Sequence, residues 1–466
     1  SVLTGVDGRF SLNASDERAR TLTLEKAEYV YEERLGVLPQ TGLNLSLRRR
    51  KQSAASLRWA EYMKGASQYN SPEVPNEAGW SVRFKESELH GDLAPDPEVI
   101  RRDPSAVLKI GKLYYVWYTK GSGPSTWFKP GKPHEKVFPW DLCDIWYATS
   151  SDGRAWKEKG PAVRRGPAGA FDDRSVFTPE VFGHQGKCYL VYQAVQAPYV
   201  ERVKNTVAMA VADSPDGPWK KLPQPILRPT NNGIWKAGST SHHDAIKKGD
   251  FDSHKVHDPC LVFYRGKFFL YYKGERMGED RYFGQREIKW GVAIADEPEG
   301  PYVKSEYNPI TNTGHEVCVW PYRGGIASIQ KLDGPERGTI QFAPDGINFE
   351  IKARAIHVPD ALGLYRPENS DMAPYEGVRW GLCHAMRWDR VPGGWMYLRR
   401  FDLVRIAVSA VDIVHDSLSV QNGTSRMLIA RVSHSDATDR SVTWASDNEA
   451  VATVNPNGQV TAKSLG

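Results

Sequence analysis

The chain has 466 residues, with 61 Lys and Arg against 56 Asp and Glu, for a formal charge of +5. That length exceeds one ordinary core and implies two or three domains, or a large repeat architecture with additions. The mixed, nearly balanced charge leaves no nucleic-acid footprint, and no run of about eighteen apolar residues could span a membrane. Residues 1–15 read as irregular. Ser1–Gly8 carries no signal-peptide pattern, but a removed signal would leave no trace, so export stays open. From Ser15 to Leu35 an N-cap at Ser15, acids in the first turn, apolar residues at helical spacing and a stop at Gly36 predict a helix. A second helix is predicted over about 46–65, through Ala54, Ala55, Leu57, Trp59, Ala60, Tyr62 and Met63. Such a pair cannot bury much alone and must pack on the main body or on another subunit. The basic run Arg48–Lys51 reads as a solvated helix face or an interface.

From about residue 78 to 403 the pattern becomes β-rich and periodic. Three segments share one design, opening at Asp103, Glu180 and Asp258. In each an acid opens an apolar strand, a Gly-Lys turn follows, and a second strand is rich in aromatics. A second family of turns lies at Asp152-Gly153, Asp216-Gly217, Glu299-Gly300 and Asp345-Gly346, each after a strand and before an aromatic. One unit therefore has two hairpins and four strands, which is the pattern of a β-propeller blade. Gly314–Trp320 starts a fourth unit with Arg323-Gly324-Gly325 as its turn. A fifth is expected to run through Gly381–Met386 with Pro392–Gly394 as its turn. The first-strand acids stand further apart than a compact blade of about 40–50 residues allows. Long loops, chiefly Gly121–Asp141 and Pro229–Val256, are expected to wall a site. The 15 Trp and 21 Tyr suit a β-rich core first and a sugar-stacking surface second. The five cysteines, Cys143, Cys188, Cys260, Cys318 and Cys383, form no CxxC pair and read as buried free thiols.

Repeated units around an axis bring their equivalent acids to one point. Asp103 and Asp258 each precede Pro, Glu316 holds the matching place in the fourth unit, and Glu180 lies near it in the second. Crowded carboxylates repel and need a purpose. Glycosidic bond cleavage supplies one, with one acid activating water, a second group protonating the leaving oxygen and a further acid supporting the cationic anomeric carbon. His315 and His257 add groups that titrate near neutrality. The stretch His242–Asp258 holds His242, His243, His254 and His257 with Asp244, Asp250, Asp252 and Asp258. Its spacing matches no zinc signature, so a structural or sugar-binding role is favoured over a metal.

The string Lys247–Pro259 (KKGDFDSHKVHDP), with Arg102–Ser105, Thr178-Pro-Glu180 and Gly314-His-Glu316, closely resembles glycoside hydrolase family 117 over about residues 10–403. Those enzymes are α-1,3-L-neoagarooligosaccharide hydrolases, or 3,6-anhydro-α-L-galactosidases. The resemblance implies an all-β main domain, a five-bladed propeller, and an N-terminal helix-turn-helix segment that swaps within a homodimer. It implies an inverting exo-enzyme releasing 3,6-anhydro-L-galactose from the non-reducing end of neoagarobiose and longer oligosaccharides. Matched by motif, Asp103 is the general base, Asp258 and Glu316 are supporting acids, and His315 is the general acid. Thr178, Glu180, Gln193, His257 and Trp140 match sugar-contacting positions. No cofactor is needed for the chemistry, although the family leaves room for a divalent cation (Mg, Ca or Zn) near the site with no ligand set named.

After Leu403 the chain turns Ser/Thr/Val-rich. Its end, from Ser441 to Ala462, resembles the bacterial immunoglobulin-like group 2 domain over about 406–466. That family continues with another strand past its "VTA" stretch, so the sandwich is expected to be incomplete in this sequence. The expected division is 1–77 helical dimerisation segment, 78–403 catalytic propeller and 404–466 immunoglobulin-like domain. Such a tail usually accompanies exported proteins, so a periplasmic, surface or secreted location is expected, with the cytoplasm left open. Two other functions fit the sequence. One is a related five-bladed glycosidase acting on an arabinofuranoside or a sulfated galactan unit. The other is a non-catalytic carbohydrate-binding or adhesion protein.

Overall fold

The computed structural model describes residues 20–24, 32–37, 50–64, 73–77, 79–129, 132, 134–282, 285–366, 378–387, 394–414, 417–433, 437 and 440–465. Among them the chain is nearly all β, with one α-helix, Ala54–Tyr62. Five four-stranded antiparallel runs follow one another along the chain. The first contains Val107–Ile110, Leu113–Ser122, Asp144–Ser150 and Ala155–Val163. The second contains Ser175–His184, Lys187–Val195, Asn205–Ala212 and Lys220–Lys221. The third contains Lys255–Tyr264, Lys267–Glu275, Lys289–Ala295 and Val303–Lys304. The fourth contains Val319–Tyr322, Gly325–Gln330, Thr339–Ala343 and Glu350–Ile356.

The fifth run differs from expectation. Its first strand is Asp360–Arg366, and the Gly381–Met386 stretch lies in its second strand, Trp380–Arg387. The third strand is Trp395–Leu403, and Pro392 and Gly393 of the predicted turn lie outside the described residues. Val82–Glu88, from far back in the chain, supplies the fourth strand by pairing antiparallel with Trp395–Leu403. It also pairs in parallel with Glu350–Ile356 of the fourth run. One strand from near residue 82 thus locks the end of the β region to its beginning.

The turns follow from local chemistry. Gln185-Gly186, Arg265-Gly266 and Arg323-Gly324 link first to second strands, and all six residues have positive φ. A two-residue turn of that kind matches the strand twist, and glycine takes its second place without a side-chain clash. In the second family the acid holds the turn. The Asp152 carboxylate accepts from the backbone of Arg154 and Ala155, and that of Asp345 from Ile347 and Asn348.

Apolar residues fill the spaces between runs. One cluster joins the first and second runs through Trp117, Val181 and Leu190. Others join second to third, third to fourth and fourth to fifth. A further cluster joins the fifth back to the first through Val107, Trp156, Leu382 and Leu398. Through these clusters the runs close on themselves. The five cysteines are all free and buried.

The N-terminal expectations need correction. Arg20–Leu24 and Glu32–Val37 are strands paired antiparallel, where a helix over 15–35 was expected. The alternation Thr21-Leu22-Thr23-Leu24 has the period of a strand and β-branched residues that favour one. Residues 25–31 lie outside the described set. The second predicted helix is present but shorter, as Ala54–Tyr62, capped by Ser53 accepting from the Ser56 amide at 3.0 Å. Arg50 and Lys51 precede it and pair with Asp250 and Glu306 of the body. At the other end, Ala410–Ile413 pairs with Ala430–Ser433, while Ser425–Met427, Gln459–Ala462 and Ala452–Val454 form a second small sheet. No described helix is long and apolar enough to cross a membrane.

Candidate active site

The first strands share a bulge that creates the site. Asp103, Thr178, Asp258 and Ala361 all have φ near +50°. Register shifts flank these residues in the second, third and fifth runs. Left-handed backbone is costly for a β-branched residue such as Thr178, and persists only where the surroundings impose it. A bulge bends the strand and re-aims one side chain. Thr178 is therefore the counterpart of Asp103 and Asp258, and Glu180 sits two residues further along. In the fourth run, alignment on the Tyr264 and Tyr322 hairpins puts Glu316 where Asp258 stands.

The second strands contribute at one matching register. Thr119, Gln193, Lys273 and His384 each pair with the residue just before the bulge: Arg102, Phe177, His257 and Asp360. Three of these four side chains touch the candidate catalytic acids directly. Nothing in the local sequence marks Thr119, Lys273 or His384, because the signal is cross-strand pairing and not a motif.

Asp103 is 2 % exposed. Arg102 grips it from the same strand, Nε at 2.7 Å from Oδ2 and Nη2 at 2.8 Å from Oδ1. The Thr178 hydroxyl donates to it at 3.0 Å. Nδ1 of His384 lies 3.2 Å from both its backbone nitrogen and Oδ1. Burial alone would raise the Asp103 pKa, but the Arg102 guanidinium and His384 hold it well below the usual carboxylate range. Asp103 is thus an ionised, positioned carboxylate.

Asp258 is also buried and pairs with Lys273. Burial pushes its pKa up, and the neighbouring Glu316 charge adds to the rise while Lys273 opposes it. Glu316 is partly exposed, and its pKa is lowered. Burial would raise it, but His315 and Lys273 outweigh that effect. One ligand atom each of Asp103, Glu316 and His384 lie within 4.8 Å of one another.

His315 stands on the irregular stretch before the fourth run's first strand. Its Nδ1 is 2.6 Å from Oδ2 of Asp333, and its Nε2 is 3.9 Å from Glu316. A carboxylate on Nδ1 fixes the tautomer and leaves Nε2 facing the acids. The Asp333 pKa is lowered: burial would raise it, but the hydrogen bond and charge of His315 prevail.

The predicted sugar-contacting residues divide. Thr178 is on Asp103, and Gln193 Nε2 lies 3.4 Å from His257 Nδ1. His257 is buried with Nε2 3.3 Å from Glu275, and burial and then Lys273 drive its pKa well down, so it is neutral. Trp140 lies against Arg102, whose guanidinium is 4.7 Å from its ring, and it donates to the Tyr199 hydroxyl at 2.8 Å. Glu180 lies apart from this group. Its carboxylate accepts from the Ala106 amide at 2.7 Å and pairs with Arg366 at 3.0 Å. Of the His242–Asp258 stretch, Asp250 and Asp252 hold Arg50 and Tyr272, so they serve packing. Arg102, Lys273, Asp333 and His384 are site residues for which the sequence suggested no role.

This arrangement can be compared with known proteins. A solved family 117 glycoside hydrolase from the marine bacterium Zobellia galactanivorans superposes with a TM-score of 0.58. It is 34 % identical over an alignment covering 70 % of this chain and 91 % of that one. The chain is a member of glycoside hydrolase family 117. Residues 407–466 match the bacterial Ig-like domain (group 2) family. A 61-residue stretch, 13 % of this chain, is 41 % identical to part of a lacto-N-biosidase of Bifidobacterium bifidum, of whose length it spans 5 %. Membership of family 117 makes the chain a glycosidase.

Proposed function

We propose that this family 117 enzyme is an exo-acting, inverting hydrolase of the α-1,3 bond of neoagarobiose and neoagarooligosaccharides, releasing 3,6-anhydro-L-galactose. The reading is carried by one observation: an ionised carboxylate, Asp103, and an imidazole, His315, both adjoin Glu316 in a single cluster. Asp103 takes a proton from water as that water attacks the anomeric carbon. His315, protonated and braced by Asp333, gives the Nε2 proton to the departing galactose oxygen. Glu316 and Asp258 oppose the positive charge that builds on the ring. Arg102 and Thr178 hold the Asp103 carboxylate in one orientation, and Gln193, His257 and Trp140 contact the sugar. The same proposal takes the closed ring of runs as a five-bladed propeller over 78–403, with a dimerising N-terminal segment and an exported immunoglobulin-like tail.

Asp103, Glu316 and His384 have the spacing for a divalent cation. However, Arg102 and Thr178 already occupy most of the lone-pair sites that the Asp103 carboxylate offers. The residues do not fit a resident cation, and no step is routed through one.

The test is incubation with neoagarobiose and longer neoagarooligosaccharides, scoring released 3,6-anhydro-L-galactose and its first anomer by NMR. Release with inverted configuration is expected. No release, with turnover of an arabinofuranoside or a sulfated galactan unit, would replace the substrate. Binding without turnover of any of them would replace the enzyme by a binding protein.

A further inference from the structure

The helix Ala54–Tyr62 has only nine residues and one fully buried side chain, Ala55. A helix this short is marginal alone, so polar anchors must fix it. The principal anchor is Glu336, wholly buried. Arg58 grips its carboxylate with Nε at 2.7 Å and Nη2 at 3.0 Å, and Tyr62 donates at 3.1 Å. Asn312 bridges the same carboxylate, at 3.0 Å, to the Ala55 carbonyl, at 2.7 Å. Glu336 is three residues from Asp333, and Asn312 is three residues from His315. Between these ends the two segments are stitched together. The Glu336 amide donates to the Thr313 hydroxyl at 2.8 Å, and the Gly314 amide to the Leu332 carbonyl at 2.9 Å. The approach is so close that a Cβ on Gly334 would lie 2.4 Å from the Asn312 carbonyl oxygen.

We infer that the N-terminal helix is a positioning element for the reaction: Arg58, through Glu336, sets the distance between Asp333 and His315 and so aims the acid at the leaving oxygen. The inference rests on the reading of His315 as general acid. It assigns to Arg58 and Glu336 a role in catalysis without contact with substrate. A guanidinium fork gripping a carboxylate at two points fixes direction as well as distance, which a lysine cannot do.

Leaving-group chemistry separates this from ordinary stabilisation. An aryl glycoside of the same sugar with an acidic phenol as leaving group needs little proton donation, whereas neoagarobiose needs it fully. Arg58→Ala and Glu336→Gln should lower kcat on neoagarobiose about 10–100-fold, as small misplacements of a catalytic group do. KM should stay within about threefold, and turnover of the aryl glycoside should stay within about threefold of wild type. Arg58→Lys, which keeps the charge and folds if the alanine variant does not, should fall between. Equal losses on both substrates, or no loss on either, would overturn the inference. His315→Ala is the control on the underlying reading. If the aryl glycoside does not rescue it, the acid assignment and this inference fall together. If it is rescued and the Arg58 and Glu336 variants are not, this inference alone fails.

Discussion

Asp103 and His315 are held in opposite ways. Asp103 sits in a repeating bulge, with Arg102, Thr178 and His384 fixed by the register of three different runs. His315 stands on a non-repeating stretch before Val319 and is braced by Asp333, on another irregular stretch after Gln330. Asp103 is buried at 2 %, while the His315 side chain is 28 % exposed. The repeat therefore supplies a rigid, water-poor setting for Asp103, and the departures from it supply a more open one for His315.

The comparison is broken most directly at Asp103. Asp103→Asn keeps the shape and removes the proposed base. Turnover of neoagarobiose should fall about 10³-fold or more, within the range for a positioned acid–base group, while KM changes little. Azide should restore part of the rate by supplying an external base or nucleophile, with the anomer of the glycosyl azide reporting the face attacked. Turnover within tenfold of wild type would remove Asp103 from the chemistry.

Asp258 tests how far the buried side depends on charge pairing. Lys273→Met leaves a buried carboxylate without its cation, which costs about 3–5 kcal/mol when a buried pair is broken from one side. The Asp258 pKa is already pushed up by burial, and losing Lys273 pushes it further. A raised carboxyl is protonated in the folded state before it is in the unfolded one, so lowering the pH favours folding. Urea midpoints should therefore show the largest deficit at neutral pH and a smaller one near pH 5. A deficit independent of pH would assign Lys273 to packing alone.

Asp333 is the matching probe on the other side. Asp333→Asn keeps a hydrogen-bond acceptor near Nδ1 but removes the carboxylate that braces the ring at 2.6 Å. A loss of about 10–100-fold in kcat is expected on neoagarobiose, with an aryl glycoside of the same sugar much less affected. Equal losses on both substrates would mean that Asp333 serves the fold and not the proton donor.

The two sides were unequally legible in the sequence. Turn chemistry is local, so the Gly-Lys turns, Arg323-Gly324-Gly325 and the acid-Gly turns placed most strands. Asp103, Asp258 and Glu316 were found because each reads in the sequence as the acid that opens a first strand. Glu180 was aligned with them because it is the nearest acid, whereas the bulge puts Thr178 in that place; a β-branched residue at positive φ leaves no compositional trace. Lys273 and His384 could not be read locally, since they reach the centre by cross-strand pairing over spans no motif covers. The first strand of the fifth run was missed because it carries Ala361 where others carry an acid or Thr. Asp333 was missed because its link to His315 joins two irregular segments.

The smallest expected effect concerns a histidine wall next to the buried side. Burial and then His243 hold the His242 pKa down to about 4, and burial drives His254 well down too. Unfolding returns each to its ordinary value near 6.5. Below that value the unfolded chain binds more protons than the folded one, so stability falls with pH from about 6.5 towards about 4 and is fully present above 6.5. The thermal midpoint should drop gradually through that window, and His242→Asn should flatten the slope without changing the midpoint at pH 8. A slope unchanged by His242→Asn would remove His242 from the acid-side loss of stability.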